Sequence, residues 1–333
     1  MKLVVDKFEV LTDKKLEKPL KVVLISDVHA GNLPLMSGKI NLNSTIKGLK
    51  KLRKIDFFAF CGDFLNNALS WNGSRAEDNF KNFVKEVAKI APVILVRGNH
   101  DVFGGNKEVE ENYHKLEKLE NVTLLDNKQM KLLGIKITGF APRHEAYDLS
   151  KHGEMAQEIA TEEFKKEHFL LDEKDFNLIL THSPYNLTNR VILKELPELF
   201  EKGDVILSGH LHNGLMPSRN FEFITKHFNK TTPKTKWQKF WARNIDTGIW
   251  FGMKTGFVIS HCRGAKTVGE GKISYPVLPS SKKFVKIDLT KEKNKLVQII
   301  GKSVTKYFFL PIVQGRPSVV ELKISPKLPK AQK

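Results

Sequence analysis

Five short stretches of this 333-residue chain carry residue types that could do chemistry together. They are Asp27-x-His29, Gly62-Asp63, Gly98-Asn99-His100-Asp101, His182 and Gly209-His210-x-His212. Leaving Asp101 aside, they supply two carboxylates, one amide and five imidazoles. Two carboxylates brought together repel, and each resists burial unless it is paired or bound to metal. Mixed imidazole and carboxylate donors suit Mn, Fe, Zn or Ni rather than Ca or Mg alone. With this many donors, two ions are more natural than one. In an extended backbone alternate residues face the same side, so Asp27 and His29 can aim at one centre, as can His210 and His212. A lone histidine is more often a packed or surface residue than a ligand, and His114, His144, His152, His168, His227 and His261 are read that way.

Each chemical stretch follows an apolar run. Strands are expected at 3–11, 21–25, 57–60, 93–96, 122–125, 132–140, 176–180 and 204–207. Helices are expected from a cap at Asn43 or Ser44 to about 54, and at 76–90, 107–119, 153–167 and 189–200. Phe80, Phe83, Val84, Val87 and Ile90 recur at helical spacing in the second of these. Gly98 lets the backbone turn sharply after 93–96, delivering Asn99, His100 and Asp101 at the carboxyl end of a strand. Ligands of open α/β sheets bind at that end.

Beyond residue 214 the character changes. Residues 218–243 hold seven cations against the single acid Glu222, interleaved with Phe221, Phe223, Phe228, Trp237, Phe240 and Trp241. Four β-like runs follow, at 256–262, 284–289, 295–300 and 319–324. The expected organisation is one domain over 1–325 with a cap-like insertion at about 215–250, followed by a disordered Lys/Pro tail at 326–333.

The formal net charge is +18. Such a balance fits a nucleic acid, an anionic membrane or an anionic substrate, and equally a lysine-rich proteome, since only nine of the 55 cations are Arg. Arg is the residue expected where phosphate is gripped bidentately. No apolar run approaches the roughly 20 residues that span a bilayer, and no signal peptide opens the chain. Together with two cysteines, Cys61 and Cys262, this gives an expected cytoplasmic location, with the inner face of the membrane as a peripheral option.

The ordered set of stretches resembles the full signature of the calcineurin-like metallophosphoesterases across roughly residues 20–215. The resemblance implies an α/β fold, a four-layer αββα sandwich of two mixed β-sheets flanked by helices. It implies one metal held by Asp27, His29, Asp63 and His212, and a second held by Asp63, Asn99, His182 and His210, with Asp63 bridging. His100 would be the proton donor to the leaving group and Asp101 its orienting partner. Two divalent ions are implied, manganese first among Mn, Fe, Zn and Ni. Gly209-His210-Leu211-His212-Asn213-Gly214, with Pro217, resembles a bacterial phosphodiesterase branch that has Thr where Leu211 stands and Gly where Asn213 stands.

The chemistry expected is hydrolysis of a phosphate ester. Two ions about 3.5–4 Å apart can clamp a phosphoryl group, and a water whose pKa falls towards about 7 supplies hydroxide. The substrate is expected to be a small, nucleotide or lipid-linked phosphodiester or pyrophosphate. The 218–243 stretch suits an anionic membrane surface or lipid substrate, and less well a nucleic-acid backbone. A repair-type nuclease and a non-catalytic metal-binding scaffold are the rival functions.

Overall fold

Runs of consecutive apolar residues make strands buried on both faces, as a parallel sheet covered on two sides requires. In the computed structural model Leu20–Ile25 (β2), Phe57–Cys61 (β3), Val93–Val96 (β4) and Val122–Leu124 (β5) pair in parallel in that order. The structure describes residues 3–26, 28, 30, 42–65, 68–102, 106–147, 154–183, 185–188, 190–196, 199, 202–209, 258–262, 265–269, 285–288 and 318–327. Asp27, His29, His210, His212, the 215–250 insertion with its 218–243 stretch, the expected strand at 295–300 and the tail beyond 327 lie outside the described residues.

On the other side of β2 lies the strand Ser318–Pro326 (β13), antiparallel to β2 and parallel to Val4–Thr12 (β1). Val285–Asp288 (β12) closes that edge, giving the seven-stranded order β12-β1-β13-β2-β3-β4-β5. The second sheet comprises Lys128–Leu132 (β6), Ile135–Phe140 (β7), Phe176–Thr181 (β8), Val205–Ser208 (β9), Val258–Cys262 (β10) and Ala265–Gly269 (β11). Its order is β11-β10-β9-β8-β7-β6, with antiparallel pairs at both ends.

The two sheets lie face to face, β3 against β8 and β4 against β7. Val22, Leu24, Phe57, Ala59, Ile94 and Val96 share one core with Ile135, Ile137, Leu178 and Val205. The outer face of the first sheet, with Val23, Ile25, Phe58, Phe60 and Leu95, is covered by Leu42–Leu49 (α1), Arg75–Ala88 (α2) and Lys107–His114 (α3). Ile46, Phe80, Phe83, Val87 and Tyr113 are the side chains that do so. Ser74 caps α2 by accepting the Glu77 N–H at 3.3 Å, which starts the helix where the capping rule places it. Glu154–Lys166 (α4), Tyr185–Thr188 (α5) and Arg190–Glu195 (α6) cover the second sheet, with the Phe164 ring edge-on to Phe140 at 5.1 Å. Helices, sheet, sheet and helices are the four layers expected.

Three expectations are corrected. The strand read over 132–140 is a hairpin, because Leu133 and Gly134 take φ of 50° and 77° and form a two-residue turn between β6 and β7. The helix read over 189–200 is preceded by a separate short helix, α5, and is broken after α6 ends at Glu195, with Leu199 helical again. The helix read over 107–119 ends as α3 at His114 and tightens into a 3₁₀ turn at Lys115–Lys118. Among the described residues no helix is long and apolar enough to cross a membrane.

Candidate metal centre

The strand ends that carry Gly62-Asp63, Gly98-Asn99-His100-Asp101 and His182 meet at one rim of the sandwich. Their backbones approach so closely that side chains are excluded at two positions. Gly62 has φ of +76°, and a Cβ there would stand 2.5 Å from His182 Nδ1 and 2.6 Å from Gly98 Cα. A Cβ on Gly98 would stand 2.3 Å from Asp63 Oδ1 and 2.5 Å from the Asp63 nitrogen. Asp63 itself takes φ of 53°, unusual for a residue with a Cβ. That strained turn aims its carboxylate back over the rim, the sort of backbone cost that clusters at functional sites. Gly98→Ala is therefore expected to cost about 2–3 kcal/mol of stability and to weaken metal uptake, as read by denaturant titration with and without Mn. An unchanged denaturation midpoint would show that the loops have room to part.

Asp63 is buried, and its two oxygens do different things. Oδ1 accepts the His100 backbone N–H at 2.9 Å, and Oδ2 lies 3.1 Å from His182 Nε2 and 3.9 Å from His100 Nε2. His182 is fully buried. Its Nδ1 lies 2.7 Å from the Cys61 carbonyl, to which it can only donate, and its Nε2 lies 3.1 Å from Asn99 Oδ1. In the neutral ring Nε2 then carries a lone pair. A ring nitrogen, a carboxylate oxygen and an amide oxygen thus converge, and a positive charge there, a proton on Nε2 or a metal ion, satisfies all three. These three donors fit a divalent transition metal. Among the described residues no group of three or more His, Cys, Asp or Glu is placed to hold an ion; the third donor here is an amide.

The chain neighbours of the remaining sequence candidates are tied to the same rim. Ser26 donates its hydroxyl to the Cys61 carbonyl at 2.6 Å, and Ala30 bridges to Leu65 with its N–H on the Phe64 carbonyl at 2.8 Å. These contacts flank Asp27 and His29 in sequence. Gly209, next to His210, donates its N–H to the His182 carbonyl at 2.7 Å.

Asp101 is fully buried, and its carboxylate accepts N–H groups from Gly98 at 2.9 Å and Phe64 at 3.1 Å. It fastens the Asp63 loop to the turn Asn99–Asp101, and so places His100 through the backbone. Burial, and then the Asp63 charge, push the Asp101 carboxyl up to about 7 against the pull of those amides. His100 is partly exposed, with 43% of its side chain accessible.

Several participants were not legible beforehand. The Tyr147 ring lies 5.9 Å from that of His182, and only its place five residues after Pro142 could have hinted at it. Asp126 accepts the Arg97 N–H at 2.8 Å and the Tyr113 hydroxyl at 3.0 Å, bracing the loop that leads into Asn99. Arg97 thus supports that loop. Arg143 points its guanidinium at Glu163 at 3.4 Å and Glu145 at 3.8 Å.

A family model described as calcineurin-like phosphoesterase matches residues 20–214. Two proteins of Helicobacter pylori, strains J99 and 26695, each named an uncharacterized metallophosphoesterase, are 25% and 26% identical over 203 residues. The match covers 60% of this chain and 46% of each relative, so the chain spans about half the length of the curated relatives it matches. A crystal structure aligns over 58% of this chain and 84% of its own at 15% identity, with a TM-score of 0.35. With the family model covering more than half of its length, the chain belongs to the calcineurin-like phosphoesterase family.

Proposed function

We propose that the chain is a dinuclear metal-dependent phosphohydrolase that cleaves phosphodiesters or pyrophosphates. The observation that carries this reading is the convergence of His182 Nε2, Asp63 Oδ2 and Asn99 Oδ1, with 3.1 Å separating the ring nitrogen from each oxygen. In this proposal His210 completes that set, while Asp27, His29 and His212 hold a second ion that shares Asp63. When bound, two such ions polarise phosphoryl oxygens and lower the pKa of water towards neutrality.

The protein side chains supply the rest. Asp63 and Asp101 lock the Asn99–Asp101 turn, so that the exposed His100 ring stands at the edge of the centre. As imidazolium, His100 gives its proton to the departing alkoxide. His100→Ala is expected to keep its metal and to lose about 10²–10⁴-fold of turnover on alkyl esters. The loss should be much smaller on nitrophenyl esters, whose leaving group needs no proton. Equal losses on both substrates would take the proton-donor role from His100.

The substrate class rests on sequence. Seven cations and six aromatics between 218 and 243 follow the His210/His212 stretch directly, and they favour an anionic, lipid-linked or nucleotide substrate. The test is hydrolysis of bis-p-nitrophenyl phosphate by Mn-loaded and chelator-stripped protein. Metal-dependent release of nitrophenol is expected. No release by protein shown to hold Mn would favour a scaffold role.

A further inference from the structure

We propose that Ser26 is a positioning residue of this centre, acting through the Cys61 carbonyl to hold His182 in the tautomer that leaves Nε2 bare. The inference rests on the metal-centre reading above and adds a residue that touches neither metal nor substrate.

A carbonyl oxygen has two lone pairs, and in Cys61 both are used by side chains of other strands. The Ser26 hydroxyl donates to it at 2.6 Å and His182 Nδ1 at 2.7 Å. Ser26 is 4% exposed, while Cys61 and His182 are wholly buried, so water does not compete for the oxygen. The parallel register pairs Ile25 with Phe60, which brings Ser26 alongside Cys61 where the ladder gives way to loop. The Cys61 thiol extends the node by lying 3.5 Å from the Leu207 carbonyl. One residue, through its carbonyl and its thiol, thus joins the ends of β2, β3, β8 and β9, and with them both sheets, directly beneath the rim.

The chemical consequence follows from tautomers. With Nδ1–H on the carbonyl, Nε2 offers a lone pair to the site. In the other tautomer two lone pairs would oppose each other at the carbonyl, and Nε2–H would occupy the position a metal needs. The outer partner of a ligating histidine fixes its tautomer and ring orientation. Here that partner is a peptide oxygen, and Ser26 fixes the peptide. A residue with no hydroxyl leaves the carbonyl free to tilt, and the ring tilts with it.

The test uses the full chain and Mn²⁺ as the probe. Long-range proton–nitrogen correlation spectra of metal-free, ¹⁵N-histidine-labelled protein above neutral pH should show His182 as the Nδ1–H tautomer, with the signal assigned by its absence in His182→Gln. Ser26→Ala should broaden or shift that signal and weaken Mn binding by about tenfold, while Ser26→Thr, which keeps the hydroxyl, restores both. An Nε2–H tautomer in the wild type would overturn the proposal even if the variants fail to fold. Unchanged Mn affinity in Ser26→Ala would overturn it as well. Wild-type protein that binds no Mn would overturn the metal reading itself, a result separate from either of these.

Discussion

Asp63→Asn should abolish hydrolysis while leaving the fold intact. Asn matches Asp in shape, and its Oδ1 can still accept the His100 N–H that Asp63 accepts at 2.9 Å. What is lost is the anionic oxygen facing His182, the group proposed to be shared by both ions. Metal-based stabilisation of a phosphoryl transition state is worth several kcal/mol, so turnover should fall by about 10³-fold or more. Stability separates this cause from simple misfolding. In the metal-free wild type the buried Asp63 and Asp101 charges adjoin, and the repulsion helps raise Asp101 to about 7. Asp63→Asn removes one of the two charges. The metal-free variant should therefore melt no lower than metal-free wild type, and added Mn should no longer raise its melting temperature. A variant that loses activity but is still stabilised by Mn to the wild-type extent would place the ions elsewhere.

Removing residues 316–333 should leave no cooperative fold. β13 lies inside the first sheet, pairing with β1 from Val4 to Thr12 on one side and with β2 on the other. Val320, Leu322 and Ile324 are each at most 1% exposed and sit in the core between the sheets. A fully buried side chain of this kind contributes about 1.5–3 kcal/mol, before the two ladders of hydrogen bonds are counted. Deletion also separates β1 from β2 and takes away the ion-pair partners of Glu9 and Lys21. Lys323 pairs with Glu9 at 2.7 Å, and Glu321 lies 3.4 Å from Lys21. Typical domain stability is about 5–15 kcal/mol, so a loss on this scale removes the two-state transition. A chain shortened only by 328–333 is the control and should melt as the full chain does. A cooperative melt in the longer truncation would mean that the sheet closes without β13.

The rim of the sandwich was legible because its signals are local. An apolar run followed by Gly62-Asp63 or Gly98-Asn99 announces a strand and the loop that ends it within ten residues. The place of β13 was not legible. Its alternation of Val320, Leu322 and Ile324 announces a strand, but nothing nearby says that it inserts between β1 and β2, some 300 positions earlier. The hairpin at Leu133–Gly134 was missed for a different reason. Lys128-Gln129-Met130-Lys131 is a half-exposed edge without an apolar run, so the periodicity that marks core strands is absent. At the site the sequence pointed to side chains, whereas much of the positioning is done by backbone. Asp101 was expected as the orienting partner of His100, and its carboxylate accepts the amides of Gly98 and Phe64, which holds the turn that carries His100. Cys61 drew notice only as one of two cysteines, yet its carbonyl lies 2.7 Å from His182 Nδ1. Peptide groups have no letter in a sequence, and only coordinates reveal which of them matter.

Whether the converging donors of this rim hold two metal ions is decided by anomalous diffraction from Mn-soaked crystals. Two peaks per chain are expected, one of them bounded by His182 Nε2, Asp63 and Asn99, with Asp63 touching both. Data of adequate quality with no peak at that position would contradict the metal centre and, with it, the proposed hydrolase.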